Sequence, residues 1–242
     1  MQRMPTGIPG LDELMEGGLP LGRIIAVLGN SGSGRSILGL QCLHTGAKKF
    51  SEPGLYVTLG APAAQVRQEA LRFGWNLRKL EEQNMLQFLD GSKTKQGLPG
   101  EEDFSLQPLG FDLDRLLLEI MRTAKRIGAK RLVFDSLPTL GFNYERPLEV
   151  NQALFKLVEA CRRLGVTTLL IGDNSLESGK GHEQAVAETL ADGIIVLNRG
   201  GPGQKRTLHI RKMRATHHAD SLHTLEITEN GVAVGPALSP LG

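Results

Sequence analysis

The sequence predicts an α/β fold in which a mostly parallel central sheet is flanked by helices and carries a C-terminal antiparallel extension. Two observations predict it. Between residues 23 and 171, apolar runs of strand length alternate with helical patterns. From Ile194 onwards the rhythm changes to short strands separated by glycine-containing turns, which is typical of antiparallel pairing.

The parallel part consists of five predicted strands and four predicted helices. The strands cover residues 23–28, 55–59, 85–89, 131–135 and 167–171, and the helices cover residues 36–50, 63–73, 112–127 and 151–164. The strands are apolar almost end to end, as expected where helices cover both faces of a sheet. Repeated strand–helix–strand units at this spacing imply parallel strands joined by right-handed crossovers.

The C-terminal part predicts four shorter strands, at residues 194–197, 207–213, 222–228 and 232–234. Residues 92–110 are polar and rich in glycine and proline, so we expect a mobile surface loop there. The sequence contains no internal repeat and no convincing linker. Residues 1–242 are therefore predicted to form a single domain.

The composition is that of an ordinary soluble domain, with 40% hydrophobic and 22% charged residues. Cys42 and Cys161 lie far apart in two predicted helices, so we interpret them as small buried residues of a cytoplasmic protein. His217 and His218 would point to opposite sides of a strand and make a poor metal pair. The N-terminus lacks the apolar stretch of a signal peptide, and no apolar run approaches the length of a membrane span.

The charge of the chain is unevenly distributed. A net charge of +2 is too small to name a polyanionic partner. However, the segment from residue 199 to residue 214 contains no acidic residue and six basic ones: Arg199, Lys205, Arg206, Arg211, Lys212 and Arg214. Such a stretch fits contacts to phosphate groups or, alternatively, a solvated basic ribbon.

A glycine-rich turn follows the first predicted strand. It matches the pattern G-x-x-x-x-G-K-[ST] at every defined position except the lysine, through Gly29, Asn30, Ser31, Gly32, Ser33, Gly34, Arg35 and Ser36. Glycines let consecutive backbone N–H groups turn inward around phosphate oxygens, and the following helix adds its positive N-terminal end. The strand before and the helix after favour a phosphate-binding loop over a plain connecting turn.

Two residues complete the predicted phosphate site. Ser36 offers a hydroxyl to Mg²⁺. Asp135 ends an apolar strand, where a carboxylate suits Mg²⁺ coordination through water, although many strands end in an aspartate that only caps a turn. Arg35 keeps the charge of the missing lysine in a bulkier planar group. We therefore expect weakened or re-aimed phosphate binding and a larger loss of catalysis.

Several further segments carry a family resemblance. They are TGIPGLDEL at residues 6–14, GGLP at 17–20, ADGII at 191–195 and RKMR at 211–214. With the glycine-rich turn, they make the chain resemble the KaiC/RadA-like branch of the RecA superfamily over nearly its whole length. The resemblance implies a RecA-like P-loop NTPase core that binds ATP and assembles with itself into rings, usually hexamers. It also implies that Lys212 and Arg214 reach the nucleotide of the adjacent subunit, where cations stabilise phosphate charge.

The chain departs from this family at one important place. Members that hydrolyse ATP carry paired glutamates just after the second strand, where they polarise the attacking water. Gly60 and Ala61 occupy the matching positions and cannot accept a proton, and the loss of a positioned base typically costs about 10²–10⁴-fold in rate. Glu52 and Glu69 are near in sequence, but the sequence places neither at the phosphates. An acid that substitutes for the glutamates stays open as an alternative.

Two other segments have family counterparts. Some members phosphorylate themselves shortly before the ADG-like segment, but here the pair is Glu188 and Thr189. Glu188 would act as a permanent negative charge, and without a base we do not expect autophosphorylation of Thr189. Asp173 and Asn174 follow the fifth strand, where residues of RecA-like cores commonly sense the γ-phosphate; an ordinary polar turn is the alternative.

The sequence thus predicts an ATP- and Mg²⁺-binding protein that acts as a nucleotide-dependent oligomeric scaffold or regulator, with weak or absent hydrolysis. Its expected partner is a second copy of itself, and a regulatory protein partner is compatible with this role. One alternative is an active ATPase or autokinase of the same family that uses a substitute base. Another is a DNA-binding, RadA-like recombinase accessory protein that uses residues 199–214. That stretch contains no aromatic residue for base stacking, so we favour nucleic acid less.

Overall fold

A computed structural model describes residues 2–92, 111–174 and 189–238. In chain order, the strands are β1 (Arg3–Met4), β2 (Leu19–Pro20), β3 (Ile24–Gly29), β4 (Gly54–Thr58), β5 (Leu86–Asp90), β6 (Arg131–Asp135), β7 (Thr167–Asp173), β8 (Gly193–Asn198), β9 (Arg206–Met213), β10 (His223–Thr228) and β11 (Gly231–Ala237). The α-helices are α1 (Arg35–Lys49), α2 (Ala63–Ala70), α3 (Leu77–Glu82), α4 (Leu113–Ile127), α5 (Leu137–Gly141) and α6 (Pro147–Leu164). Short 3₁₀ helices lie at Asp12–Met15 and Leu71–Phe73.

Nine of these strands form one sheet in the order β11-β10-β9-β8-β3-β7-β6-β4-β5. The pairs from β8 to β5 are parallel, whereas β8 with β9, β9 with β10, and β10 with β11 pair antiparallel. The predicted α/β fold is confirmed. One detail of the prediction is wrong: β8 is not part of a purely antiparallel extension, because it also pairs parallel with β3.

Two apolar layers cover the parallel strands. Successive side chains of a strand point to opposite faces, and β6 shows the consequence. Val133 belongs to the core that contains the apolar face of α1, while Leu132 and Phe134 belong to the core that contains those of α4 and α6. Both faces are therefore buried, which explains why the strand sequences are apolar almost throughout.

The buried cysteines belong to different layers. Cys42 of α1 is 1% exposed and Cys161 of α6 is fully buried, so the interpretation of both as core residues is confirmed. Burial raises the pKa of the Cys161 thiol to about 12, and burial likewise raises the pKa of Cys42. Neither thiol is therefore primed for thiolate chemistry.

The element boundaries deviate from the sequence prediction in a few places. Helix α6 starts at Pro147 instead of residue 151, because proline suits the first turn and Glu149 accepts a hydrogen bond from the Arg146 backbone N–H. Helices α3 and α5 are too short to show a helical period and were not predicted. Of the loop predicted at residues 92–110, residues 93–110 lie outside the described residues. Among the described residues, no helix is long and apolar enough to cross a membrane.

Candidate functional site

The glycine-rich turn connects β3 to α1 at the carboxyl edge of the parallel strands. Gly32 and Gly34 have φ values of 75° and 103°, a region that residues with a Cβ rarely adopt. Within the turn, the Ser33 N–H donates to the Asn30 carbonyl at 3.1 Å. Because Gly34 directly precedes the first residue of α1, the turn ends at the positive terminus of a 15-residue helix.

A cleft of about 770 Å³ opens beside this turn and brings together Ser36, Thr58 and Asp135. Gly39 makes this possible, since a Cβ there would lie 3.0 Å from a methyl of Val133 and 3.3 Å from Ile171. Helix α1 can therefore approach β6 and β7 closely. Ser36 lies one turn before Gly39, and Asp135 lies two residues after Val133 on the same strand.

The oxygen donors at this cleft fit Mg²⁺. A hydroxyl and a single carboxylate are what the protein contributes when phosphates and water supply the other ligands. In the part of the chain that the structure describes, no cluster of three or more His, Cys, Asp or Glu side chains could hold a metal by itself. The donor set of Ser36 and Asp135 is thus suited to a phosphate-bound Mg²⁺ and not to an all-protein metal cage.

Tyr56 of β4 also reaches Asp135, and sequence reasoning missed it. Its hydroxyl donates to Asp135 Oδ2 at 2.5 Å, although the residue is only 1% exposed. Burial, followed by the charge of Asp135, raises the pKa of Tyr56 well above its usual value. The available signal was a tyrosine in a buried strand, because a buried hydroxyl requires a partner.

Arg35 points along the end of β7. Its guanidinium donates to the Gly172 carbonyl and lies 3.6 Å from Asp173 Oδ1. Desolvation lowers the pKa of Arg35, while the charges of Asp173 and Asp135 oppose that shift. The Asn174 N–H donates to the Gly29 carbonyl at 3.1 Å. The end of β7 is therefore hydrogen-bonded to both ends of the glycine-rich turn, through Gly29 at its start and Arg35 near its end.

Gly60 and Ala61 line the same cleft as Ser36 and Asp135. They follow β4 after Leu59, and the Thr58 hydroxyl donates to the Ala61 carbonyl at 2.6 Å. A Cβ at Gly60 would meet only the Thr139 hydroxyl, at 3.5 Å. The two positions that by resemblance would carry glutamates thus line the cleft, and Gly60 has room for a Cβ, but the residues present carry no carboxylate.

The two acidic residues that are near Gly60 and Ala61 in sequence, Glu52 and Glu69, lie in different parts of the structure. Glu52 forms an ion pair with the fully buried Arg131 at 2.5 Å, before the amino end of β4 and away from the cleft. Glu69 of α2, by contrast, lines the cleft, where its Oε1 accepts a hydrogen bond from Gln65 at 2.8 Å. Glu69 is therefore an acid that the fold brings to the candidate site.

The basic segment is divided between two ends of the sheet. At the carboxyl edge, Arg206 Nε donates to the Gly32 carbonyl at 3.2 Å, and Arg206 also lines the cleft. The Arg199 N–H donates to Asn30 Oδ1 at 2.9 Å. Sequence reasoning included both arginines only in the basic stretch, since contacts across 174 residues of separation are not visible as a pattern.

Lys212 and Arg214 lie at the opposite end. Lys212 pairs with Ile194, which is level with Ala26 of β3, three residues or about 10 Å before the glycine-rich turn. Its ammonium turns further away and donates to the Ala191 carbonyl at 2.7 Å. Arg214 lies 3.8 Å from Asp192, a residue that accepts from the N–H at the start of β3. These two cations do not face the glycine-rich turn of their own chain.

Some predicted residues have a different setting from the one assumed. His217 and His218 follow β9 in an irregular segment, so the argument from strand alternation was wrong. Glu188 lies outside the described residues, and Thr189 is the first residue described after that gap.

Comparison with known proteins identifies the relatives of this chain. A family model described as the KaiC ATPase matches residues 4–239. Circadian clock oscillator proteins KaiC from Parasynechococcus marenigrum and Synechococcus elongatus are 32% identical over 238 and 236 residues, covering 98% and 97% of this chain but 45% and 44% of those proteins. This chain thus spans less than half their length. A KaiC-like protein from Pyrococcus horikoshii, solved by crystallography, has a TM-score of 0.83 and 34% identity, with 97% of this chain and 99% of that chain covered.

Proposed function

This chain belongs to the KaiC family of ATPases, and we propose that it binds ATP with Mg²⁺ and acts as a nucleotide-dependent oligomeric scaffold or regulator with weak or absent hydrolysis. One observation carries the proposal. The cleft beside the glycine-rich turn is lined by the Ser36 hydroxyl and the Asp135 carboxylate, whereas Gly60 and Ala61 stand where the family's glutamates would face the phosphates.

Nucleotide binding is assigned to residues 29–36. Their backbone N–H groups and the N-terminus of α1 supply positive potential for phosphate oxygens. Ser36 and Asp135 would hold Mg²⁺, which when bound neutralises phosphate charge. The apolar side of the cleft, formed by Leu40, Val66 and Phe73 among others, offers an apolar surface for a nucleotide base.

Weak hydrolysis follows from what Gly60 and Ala61 lack. A water molecule beside the γ-phosphate needs a positioned acceptor for its proton, and neither side chain provides one. Arg35 compounds this deficit, because its guanidinium is held by Gly172 and Asp173. Bound ATP would therefore stay on the chain for longer than an active ATPase needs to hydrolyse it.

Self-association is the second half of the proposal. Lys212 and Arg214 face away from their own glycine-rich turn, which supports a role at the nucleotide of a neighbouring copy. Cations supplied in this way stabilise phosphate charge only in the assembled particle. We propose that residues 1–242 form one domain. The working unit would then be a ring of such domains, and the family leads us to expect six copies in the ring.

The direct test combines a binding assay with a turnover assay. We expect radiolabelled ATP to bind in the presence of Mg²⁺, with phosphate release near the background of a chain that carries Asp135→Asn. Robust phosphate release that disappears in the Asp135→Asn variant would contradict the weak-hydrolysis proposal. Absence of ATP binding would contradict the nucleotide-binding proposal.

Glu69 favours a second candidate, an ATPase that uses a substitute base. This acid lines the cleft beside Asp135 and Ser36, within electrostatic reach of Tyr56. If Glu69 activates water, Glu69→Gln should lower phosphate release by about 10²-fold or more while ATP binding is kept. Glu82→Gln, on the exposed end of α3, is the matched control and should leave phosphate release unchanged.

A further inference from the structure

Tyr56 is a buried polar side chain that the nucleotide site described above does not use. It lies in β4, where the neighbouring Leu55 and Val57 are fully buried. Its hydroxyl reaches the wall of the cleft and donates to Asp135 Oδ2 at 2.5 Å. Because a buried hydroxyl requires a hydrogen-bond partner, a tyrosine at this position depends on the Asp135 carboxylate.

The register of the sheet explains why this contact forms. Tyr56 pairs with Val133 of β6, so both side chains lie on the face covered by α1. Asp135 lies two residues further along β6 on that face, at a distance of about 6.6 Å along the strand. The para hydroxyl of tyrosine bridges this step, whereas a phenylalanine ring would stop short of the carboxylate.

The ring that carries the hydroxyl is held in place by its neighbours. Phe88 of β5 pairs with Tyr56, and the two ring centroids are 5.3 Å apart. The guanidinium of Arg67 lies 4.9 Å from the Phe88 centroid, and Arg67 is itself bonded to Glu81 at 2.8 Å. The hydroxyl is thus presented from a packed strand and not from a flexible loop.

The Tyr56 hydroxyl is the donor of this hydrogen bond and Asp135 Oδ2 is its acceptor. A hydroxyl has a single proton to donate. Its donation to Oδ2 therefore selects one orientation of the carboxylate.

From this geometry we propose that Tyr56 is the positioning residue that orients Asp135 for magnesium in the nucleotide site. The inference rests on the ATP- and Mg²⁺-binding function proposed above and adds a residue to it. Groups that hydrogen-bond a metal-ligating carboxylate typically contribute about 10- to 100-fold to metal affinity, although they never contact the ion.

Tyr56→Phe tests this role, since it removes the hydroxyl and keeps the ring. The readout is binding of a fluorescent ATP analogue, titrated with Mg²⁺ and repeated in EDTA. We expect the Mg²⁺ concentration at half-saturation to rise about ten-fold or more, with unchanged binding in EDTA. The control is Tyr144→Phe, at the only other tyrosine of the chain, whose ring packs on Phe111 away from the cleft.

Asp135→Asn separates positioning from a structural effect. If Tyr56 acts through Asp135, Tyr56→Phe should leave the Mg²⁺ dependence of an Asp135→Asn chain unaltered, because coupled residues are not additive. An equal Mg²⁺ concentration at half-saturation in Tyr56→Phe and in the unsubstituted chain would overturn this inference but not the proposed function. A shift in that concentration that persists in the Asp135→Asn background would do the same. Binding that does not depend on Mg²⁺ in the unsubstituted chain would overturn the proposed function as well.

Discussion

Arg35 replaces the lysine of the phosphate-binding pattern and changes what we expect of the glycine-rich turn. A lysine ammonium is a compact charge on a flexible stem, whereas the guanidinium is planar and presents several donors in a fixed fork. Two acceptors at the end of β7, the Gly172 carbonyl and the Asp173 carboxylate, occupy that fork. The positive charge therefore stays near the site but is bonded to the protein, and phosphates must compete for it.

Gly60 provides the most direct prediction at the scale of residues. Gly60→Glu places a carboxylate at the cleft, and the nearest atom to the new Cβ is the Thr139 hydroxyl at 3.5 Å, so the side chain can be accommodated. We expect phosphate release from Mg·ATP to rise about 10- to 100-fold. This is below the full value of about 10²–10⁴ for a positioned base, because Arg35 is unchanged.

Gly60→Gln is the control for this substitution, since glutamine has the same shape without a basic oxygen. It should leave phosphate release at the level of the unsubstituted chain. Equal gains in both variants would show that bulk at this position matters and not a carboxylate. No gain in either would mean that the glutamate positions do not limit turnover.

At the scale of elements, local patterns predicted most of the fold. The apolar runs predicted β3, β4, β5, β6 and β7, because strands buried on both faces leave an uninterrupted apolar sequence. Ser36 and Asp135, which were both predicted to complete the phosphate site, line the same cleft in the structure. The parallel pairing of β8 with β3 could not be predicted, because pairing partners depend on the whole sheet and not on the strand's own residues.

The unpredicted part of the candidate site has the same origin. Tyr56 contacts Asp135 through strand register, and Arg206 contacts Gly32 through the fold of a hairpin 174 residues away. Neither separation has a periodic signature. The exclusion of Glu52 also needed the structure, because only the fold places its carboxylate against Arg131.

The layer that contains α1 gives a pH-dependent prediction. His44 of α1 stacks on Trp75 with ring centroids 5.2 Å apart, and burial, together with Lys48 and Lys49, lowers the pKa of His44 from 6.5 to about 4. The folded state thus favours neutral imidazole, and between pH 6.5 and about 4 the unfolded state binds more protons. Stability should therefore fall as the pH is lowered through this window.

Urea unfolding followed by the fluorescence of Trp75, the only tryptophan, measures this dependence. The unfolding midpoint should be lower at pH 5 than at pH 7, and His44→Phe, which keeps a stacking ring without a titrating nitrogen, should reduce the difference. A difference of the same size in His44→Phe would assign the pH dependence to other groups.

In the whole molecule, the two groups of residues that we propose to form the nucleotide site lie at opposite ends of the sheet. The glycine-rich turn lies at the carboxyl edge, whereas Lys212 and Arg214 are held at the start of β3 and β8 by Ala191 and Asp192. This separation is the structural basis for expecting that one copy completes the site of the next.

A mixing experiment tests this division of the site. One variant lacks the cations (Lys212→Ala with Arg214→Ala) and the other lacks the magnesium-side groups (Ser36→Ala with Asp135→Asn), and each should bind Mg·ATP weakly by itself. In mixed particles, some intact glycine-rich turns would meet intact cations of a neighbour. Mg·ATP binding should therefore exceed the average of the two separate variants. Binding equal to that average would argue that the cations do not act between chains.

The chemical identity of the nucleotide retained after incubation with Mg·ATP distinguishes a chain that holds ATP from one that hydrolyses it. The particle is isolated, denatured, and its nucleotide is separated and quantified. We predict that ATP remains intact, at about one molecule per chain, after a time in which an active ATPase would have converted it. Recovery of ADP, with phosphate release that Asp135→Asn abolishes, would show that the chain is an active ATPase.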